Sequence, residues 1–420
     1  MTAVFTLVLS LLCANITLKT LFMSVGPNVA IGDPLIPRGL PVKLFKVEIL
    51  SGQPKARWTS GQGVVPVASV PGRVDMQIKL LGLIPLNRMV VNVVPAVRVI
   101  PGGHSIGVLL HAQGVMVVGH AVVTDLKGQR HNPALQAGIL NGDVIIKVNG
   151  CRVQSEQQVR NEISRCGETG RPVTLEIKRG QRVFTTRVKP IFCAETRRYR
   201  IGLYVRDSAA GVGTLTFYEP RSKKYGALGH VITDIETNRK IELGDGQIME
   251  AMVQGIRPGR RGQPGEKIGL FNGSGFTGNI EKNTSCGIFG YLRQPLKNSL
   301  YPQPVPVALV YQVKKGPAEM LTVLKGNRIG RFSVEILQVM PQNKWEGKGM
   351  VIKVNDPELL RQTGGIIQGM SGSPIIQDGK FVGAVTHVFV NDPTRGYGVL
   401  AEWMLWEANL MPIPKEKKAA

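Results

Sequence analysis

The sequence predicts a mainly β protein in three pieces behind an apolar N-terminal segment. Three observations carry that prediction. The 420 residues include 50 glycines and 27 prolines, which break the chain into short runs. The runs between them are of strand length, such as "PVKLFKVEIL" and "MVVNVVPAVRVI". Helix-period segments are few, chiefly "SEQQVRNEISRC" and "AEWMLWEANLM". An apolar content of 43% is enough for packed cores, and the length allows two or three domains.

Residues 3 to 18, "AVFTLVLSLLCANITL", carry no charge, and apolar character resumes after Lys19 at Leu21 to Met23. Sixteen helical residues cover roughly 24 Å, and extending the run to residue 26 brings it to bilayer thickness. Residues 1–26 are therefore expected to form a membrane anchor or an export signal, although no basic residue precedes the run. Residues 27–100 read as a small β module or stalk with no visible chemistry.

Between 101 and 190 the pattern becomes mixed. Two apolar strands in "SIGVLLHAQGVMVVGHAVV" are followed by a short helix at "NPALQAGI", a strand at "GDVIIKVNG", an amphipathic helix and a closing strand at "PVTLEIKRG". This order resembles a PDZ domain of the bacterial, protease-associated type. Its expected peptide-binding loop is Ser105, Ile106, Gly107 and Val108. Successive amides there could converge on a chain-terminal carboxylate, with glycine permitting close approach while the next strand pairs with the peptide.

From 191 to 420, many short strands bounded by Gly and Pro suggest two packed β-barrels and a C-terminal helix. Within them, "GMSGSP" (369–374) fits the G-x-S-G-x-P pattern of chymotrypsin-like serine peptidases. Small residues around Ser371 let the backbone turn so that the amides of Gly369 and Ser371 form an oxyanion hole, each donor worth about 3 kcal/mol in the transition state. Ser373 lacks that flanking pattern, and its place excludes the G-x-S-x-G elbow of α/β-hydrolases. A serine needs a base. His104, His111, His120 and His131 fall in the expected PDZ domain, leaving His230 in "YGALGHVITD" and His387 on the strand after the serine. His230 is the preferred base, with His387 expected on the wall of the substrate cleft. The orienting acid is open among Asp234, Asp245 and Asp356, and Asp356 before Pro357 is also a credible helix N-cap.

"RIGLYVRDSAAGVGTLTFYEP", "KYGALGHVITD", "QGMSGSPIIQDGK" and "GAVTHVFVNDPTRGYGV" together resemble the stage IV sporulation protein B family of signalling serine peptidases, from about residue 95 onward. The resemblance implies His230 and Ser371 as the catalytic pair and Asp356 as the third residue, with no metal or cofactor. It implies export from the forespore, membrane association, and action in the space between forespore inner and outer membranes. It further implies self-cleavage and then cleavage of a regulatory subunit of a membrane-embedded protease, which activates a mother-cell sigma factor. The PDZ domain is expected to hold the chain's own N-terminal segment. Met370 stands where digestive relatives carry an acid that pairs with a new N-terminal amine, so control must come from elsewhere. The alternative is a catalytically inactive PDZ-containing tether.

Composition narrows the partners. The net charge of +23 comes from scattered Lys and Arg that do not interleave with aromatics, which favours an anionic membrane nearby over nucleic acid. Five unevenly spaced cysteines without a C-x-x-C pair suggest neither a disulfide framework nor a zinc site.

Overall fold

The computed structural model describes residues 28–33, 45–51, 57–59, 65–67, 70–271, 275–340 and 347–412. The expected anchor or signal at 1–26 lies outside the described residues, within which no helix is long and apolar enough to cross a membrane.

The expected β module is a four-stranded sheet of β1 (Asn28–Ala30), β2 (Phe45–Ser51), β3 (Gly72–Leu80) and β4 (Ile84–Val94), in the order β1-β4-β3-β2. Val74, Met76 and Ile78 alternate along β3 and are buried, as the two-residue period of a strand requires. The module latches onto the far end of the chain, where Asn28 Nδ2 donates to Glu402 at 2.8 Å.

Strand β5 (Arg98–Pro101) leads into β6 (Ser105–His120), which has two jobs. Its first half pairs in one barrel. Its second half enters an α+β unit made of α1 (Pro133–Gln136), β7 (Val144–Val148), α2 (Glu156–Glu168), β8 (Val173–Arg179) and β9 (Arg182–Val188). The α2 helix starts at Ser155, whose side chain and that of Gln158 cap each other's amides, and it buries Val159, Ile163 and Cys166. The chain returns along β10 (Leu203–Glu219), antiparallel to β6 from Leu203↔His120 to Thr214↔Ser105. The α+β unit is thus inserted between two halves of a barrel, and two long strands run through both bodies. Residues 105–112 belong to the barrel, and 203–207 complete the inserted unit's sheet.

The first barrel continues with β11 (Lys224–Ala227), β12 (Leu243–Arg257), β13 (Glu266–Phe271), β14 (Thr277–Asn279) and β15 (Gly287–Tyr291). Strand pairing runs β14-β12-β6-β10-β11-β15, and a bridge between Gly278 and Leu292 joins the ends into a ring. Ile106, Leu215, Tyr225, Ile248 and Ile288 fill it. The second barrel is closed by β16 (Gly316–Val323), β17 (Ile329–Val339), β18 (Met350–Val354), β19 (Pro374–Gln377), β20 (Lys380–Phe389) and β21 (Asp392–Leu400), in the order β16-β17-β18-β21-β20-β19. Helix α3 (Pro357–Thr363) leads into its nucleophile loop, and α4 (Ala401–Glu407) buries Trp403, Met404, Leu405 and Trp406 against it. The expected pair of barrels with a C-terminal helix is present.

Glu402 is a charge-bearing residue inside that core. It accepts from Asn28 and, at 2.8 Å, from the Val310 amide, and burial pushes its carboxyl up to about 7 from 4.5. The folded protein therefore holds a proton that the unfolded chain releases. Stability from this group is full below pH 4.5 and is lost as pH rises through about 7. Melting temperatures taken from pH 5 to 8 should show this decline in the wild type and a smaller one in Glu402→Gln. Equal slopes would show that Glu402 does not carry it.

Candidate active site

The nucleophile loop belongs to the second barrel but is held by the first. Thr214, buried on β10, donates its amide to Ser371 O at 2.9 Å and its hydroxyl to Gly369 O at 2.7 Å. Two residues on, the Thr216 hydroxyl donates to Gly372 O at 2.8 Å. Two threonine hydroxyls at alternate positions of an otherwise apolar strand, with one backbone amide, thus fix three carbonyls of the loop. Gly369 and Gly372 have φ of +90° and +92°, conformations that side chains resist, which is why the turn needs glycine at both positions.

The amides of Gln368, Met370, Gly372 and Ser373 all meet backbone acceptors. Among the described residues, those of Gly369 and Ser371 meet none, as expected of oxyanion donors. Ser371 is partly exposed, whereas Ser373 is wholly buried and its hydroxyl has no partner. Only the former can reach a substrate.

His230 lies on the loop after β11, half-buried, with its ring 5.2 Å from that of His387. Gly229 packs on Thr386, and the Ser371 hydroxyl donates to Thr386 O at 2.8 Å, so the histidine loop and the serine meet at Thr386 of β20. No hydrogen bond joins Ser371 to His230 in this arrangement. His230 Nδ1 lies 2.8 Å from Val231 O. A proton donated there leaves the lone pair on Nε2, the tautomer a base needs. Burial lowers the His230 pKa from 6.5, and only its bond to Val231 opposes this. His387 is lowered to about 4 by burial and then by His230 and Lys348.

Of the expected site residues, Asp356 is bonded elsewhere and the PDZ loop is corrected. Among the described residues no hydrogen bond joins His230 to Asp356. Its Oδ1 accepts from the amides of Glu358 and Leu359 at 3.0 Å each, and its Oδ2 accepts from Ser333 N at 3.1 Å. It is the N-cap of α3, with Pro357 at the first helical position. Asp356→Ala should cost about 1 kcal/mol in denaturant midpoint while kcat stays within a few-fold. A thousandfold fall in kcat would restore it to the catalytic set. Of the other two candidates, Asp234 accepts from Thr237 and Arg206, and Asp245 pairs with His111.

Ser105, Ile106, Gly107 and Val108 do not form a peptide-binding loop. They are buried mid-strand in the first barrel, with Gly107 paired to Val212 on one side and Met249 on the other. The glycine is there because the Phe271 ring lies 2.3 Å from where a Cβ would stand. A different glycine-bearing turn, Ile201 to Val205, lies beside α2. Gly202, at φ +79°, packs on Ala121 O, and the outer edge of β10 from Leu203 faces α2 across a cavity of about 350 Å³ lined by Val159, Ile163 and Tyr204.

A serine on a glycine turn, two open amides beside it and a histidine from the facing barrel agree with what sequence comparison finds. The chain belongs to the SpoIVB peptidase S55 family. The match spans residues 197–405, and a PDZ domain matches residues 106–189. This serine peptidase thus carries its PDZ domain inside its first barrel, and the PDZ match begins in strand shared with that barrel. A stretch of 73 residues is 36% identical to a protein of Clostridium perfringens (strain 13 / Type A) named "Putative zinc metalloprotease CPE1693", covering 17% of this chain and 21% of that relative. Crystal structures of the Rv3671c protease from M. tuberculosis show 13% identity. The inactive form has a TM-score of 0.27 and covers 47% of this chain and 84% of its own. The active form has a TM-score of 0.26 and covers 48% and 74%. At those scores nothing about this chain follows from the likeness.

Proposed function

We propose that this peptidase cleaves itself near its N-terminus and then a regulatory subunit of a membrane-embedded protease, activating a mother-cell sigma factor. The reading rests most on the nucleophile loop, where Ser371 is accessible between amides that have no protein acceptor. In the reaction the Ser371 hydroxyl turns from Thr386 O toward His230, whose Nε2 takes its proton as Oγ attacks the scissile carbonyl. The amides of Gly369 and Ser371 receive the developing oxyanion. The imidazolium then protonates the leaving amine, and water, activated by the same imidazole, hydrolyses the acyl-enzyme. The Val231 carbonyl sets the imidazole tautomer that a carboxylate sets in a Ser-His-Asp triad.

The groove between α2 and the edge of β10 is suited to a peptide added as a strand, and the chain's own N-terminal segment is the partner we propose for it. Docking of β1 beside Glu402 keeps that end of the chain on the peptidase body, which favours self-processing. The protein acts exported from the forespore, membrane-associated, between the inner and outer forespore membranes. Its +23 charge suits an anionic lipid surface. A fluorophosphonate probe should label the wild type at Ser371, and mass spectrometry should find a shortened N-terminus. Ser371→Ala should show neither. A wild type that neither labels nor shortens would overturn the reading.

A further inference from the structure

Lys267, near the start of β13, is 5% exposed, and its ammonium donates to the buried Thr322 hydroxyl at 2.7 Å. Among the described residues it has no carboxylate partner. Burial lowers its pKa to about 7. Burying an ammonium against one neutral hydroxyl is costly, and an apolar residue of the same length would fill the space. What the stem touches supplies a reason. Backbone bonds clamp it to the nucleophile loop, from Lys267 N to Gln368 O at 3.0 Å and from Gln368 N to Gly265 O at 2.8 Å. A Cβ placed on Gly369 would lie 3.1 to 3.2 Å from Cβ, Cγ and Cδ of Lys267, so the Gly369 backbone rests on the lysine's aliphatic stem. The carbonyl of Gly369 is held from the other barrel strand by Thr214, and its N–H is open.

We propose that Lys267 is a positioning residue for the oxyanion hole: its stem, anchored through Thr322, is the support that keeps the Gly369 amide aimed at the substrate carbonyl. The proposal rests on the peptidase reading above and on Gly369 as a donor. Losing one oxyanion donor outright costs about 10²–10³ in kcat, so a misaimed one should cost at least about tenfold. The test compares wild type, Lys267→Ala, Lys267→Met and Thr322→Val by steady-state cleavage of a peptide and by the rate of fluorophosphonate labelling.

Lys267→Ala should lower kcat and labelling at least tenfold with KM within twofold. Lys267→Met, which keeps the stem without a charge to solvate, should stay within threefold of wild type. Thr322→Val should lower kcat at least threefold, because the unanchored ammonium draws the stem toward water. If the alanine variant shows no folding transition, the Met and Val variants carry the test alone. A folded Lys267→Ala at wild-type rates, a Met variant as impaired as the Ala variant, or an unaffected Thr322→Val would each overturn the proposal and leave the peptidase standing. A wild type inert to the probe would overturn both.

Discussion

Replacing His230 with alanine is expected to lower kcat by roughly 10⁴–10⁶, as loss of the base does in serine peptidases, with little change in KM or folding. Ser371→Ala should fall in the same range, and the double variant should be no worse than either alone, because the two act as one unit. The pH profile adds an independent test. Activity requires neutral His230, and burial lowers its pKa from 6.5. The acid limb of kcat/KM should therefore lie below pH 6.5. His387→Ala should leave that limb in place. A limb at or above 6.5, or His230→Ala within tenfold of wild type, would remove this histidine from the mechanism.

Gly372→Ala should be a severely damaging single methyl. Its Cβ would stand 2.1 Å from Thr214 O, 2.5 Å from Leu228 N and 2.9 Å from Leu228 Cα. All three are backbone atoms of the strand and loop that face the serine, so no side chain can swing aside. The left-handed conformation alone costs about 1–2 kcal/mol, and the overlap must part the two barrels where Thr214 holds Ser371. A stability loss above about 3 kcal/mol and a hundredfold fall in kcat are expected from chemical denaturation and peptide kinetics. Gly379→Ala is the control. Its φ is +72° with nothing within 4 Å of the added methyl, so it should cost only the conformational part and leave kcat unchanged.

What the sequence conveyed depended on how local each feature is. The G-x-S-G-x-P turn is local, and it marks Ser371 and Gly369 as candidates and Ser373 as the weaker nucleophile. The two barrels were legible as alternating strands, and His230 as a histidine left over once the PDZ segment was set aside. Asp356 could not be placed from sequence, because a helix cap and a triad acid look alike until the acceptor bonds are seen. Ser105 to Val108 misled for a different reason. A glycine in an apolar strand suits a carboxylate loop as well as it suits Phe271 lying overhead, and only pairing on both edges separates the two. Lys267, Thr214, Thr216 and Thr386 act through contacts between residues more than 50 positions apart or through backbone atoms, where no one-dimensional pattern reports them.

The insertion of one domain within another also dictates an order of assembly. Ser105 and Thr214 are neighbours in a ladder, yet all of the PDZ chain lies between them. Closing so long a loop from a random coil is an entropic burden that one rung of sheet cannot offset. A PDZ core that forms first, around Ile145, Leu175 and Ile177, already brings the two strand ends side by side and reduces the remaining search to zipping a hairpin. The inserted domain then acts as the folding template of the barrel that surrounds it. A mutation in its core, far from any scissile bond, would silence the enzyme by delaying the birth of its active site.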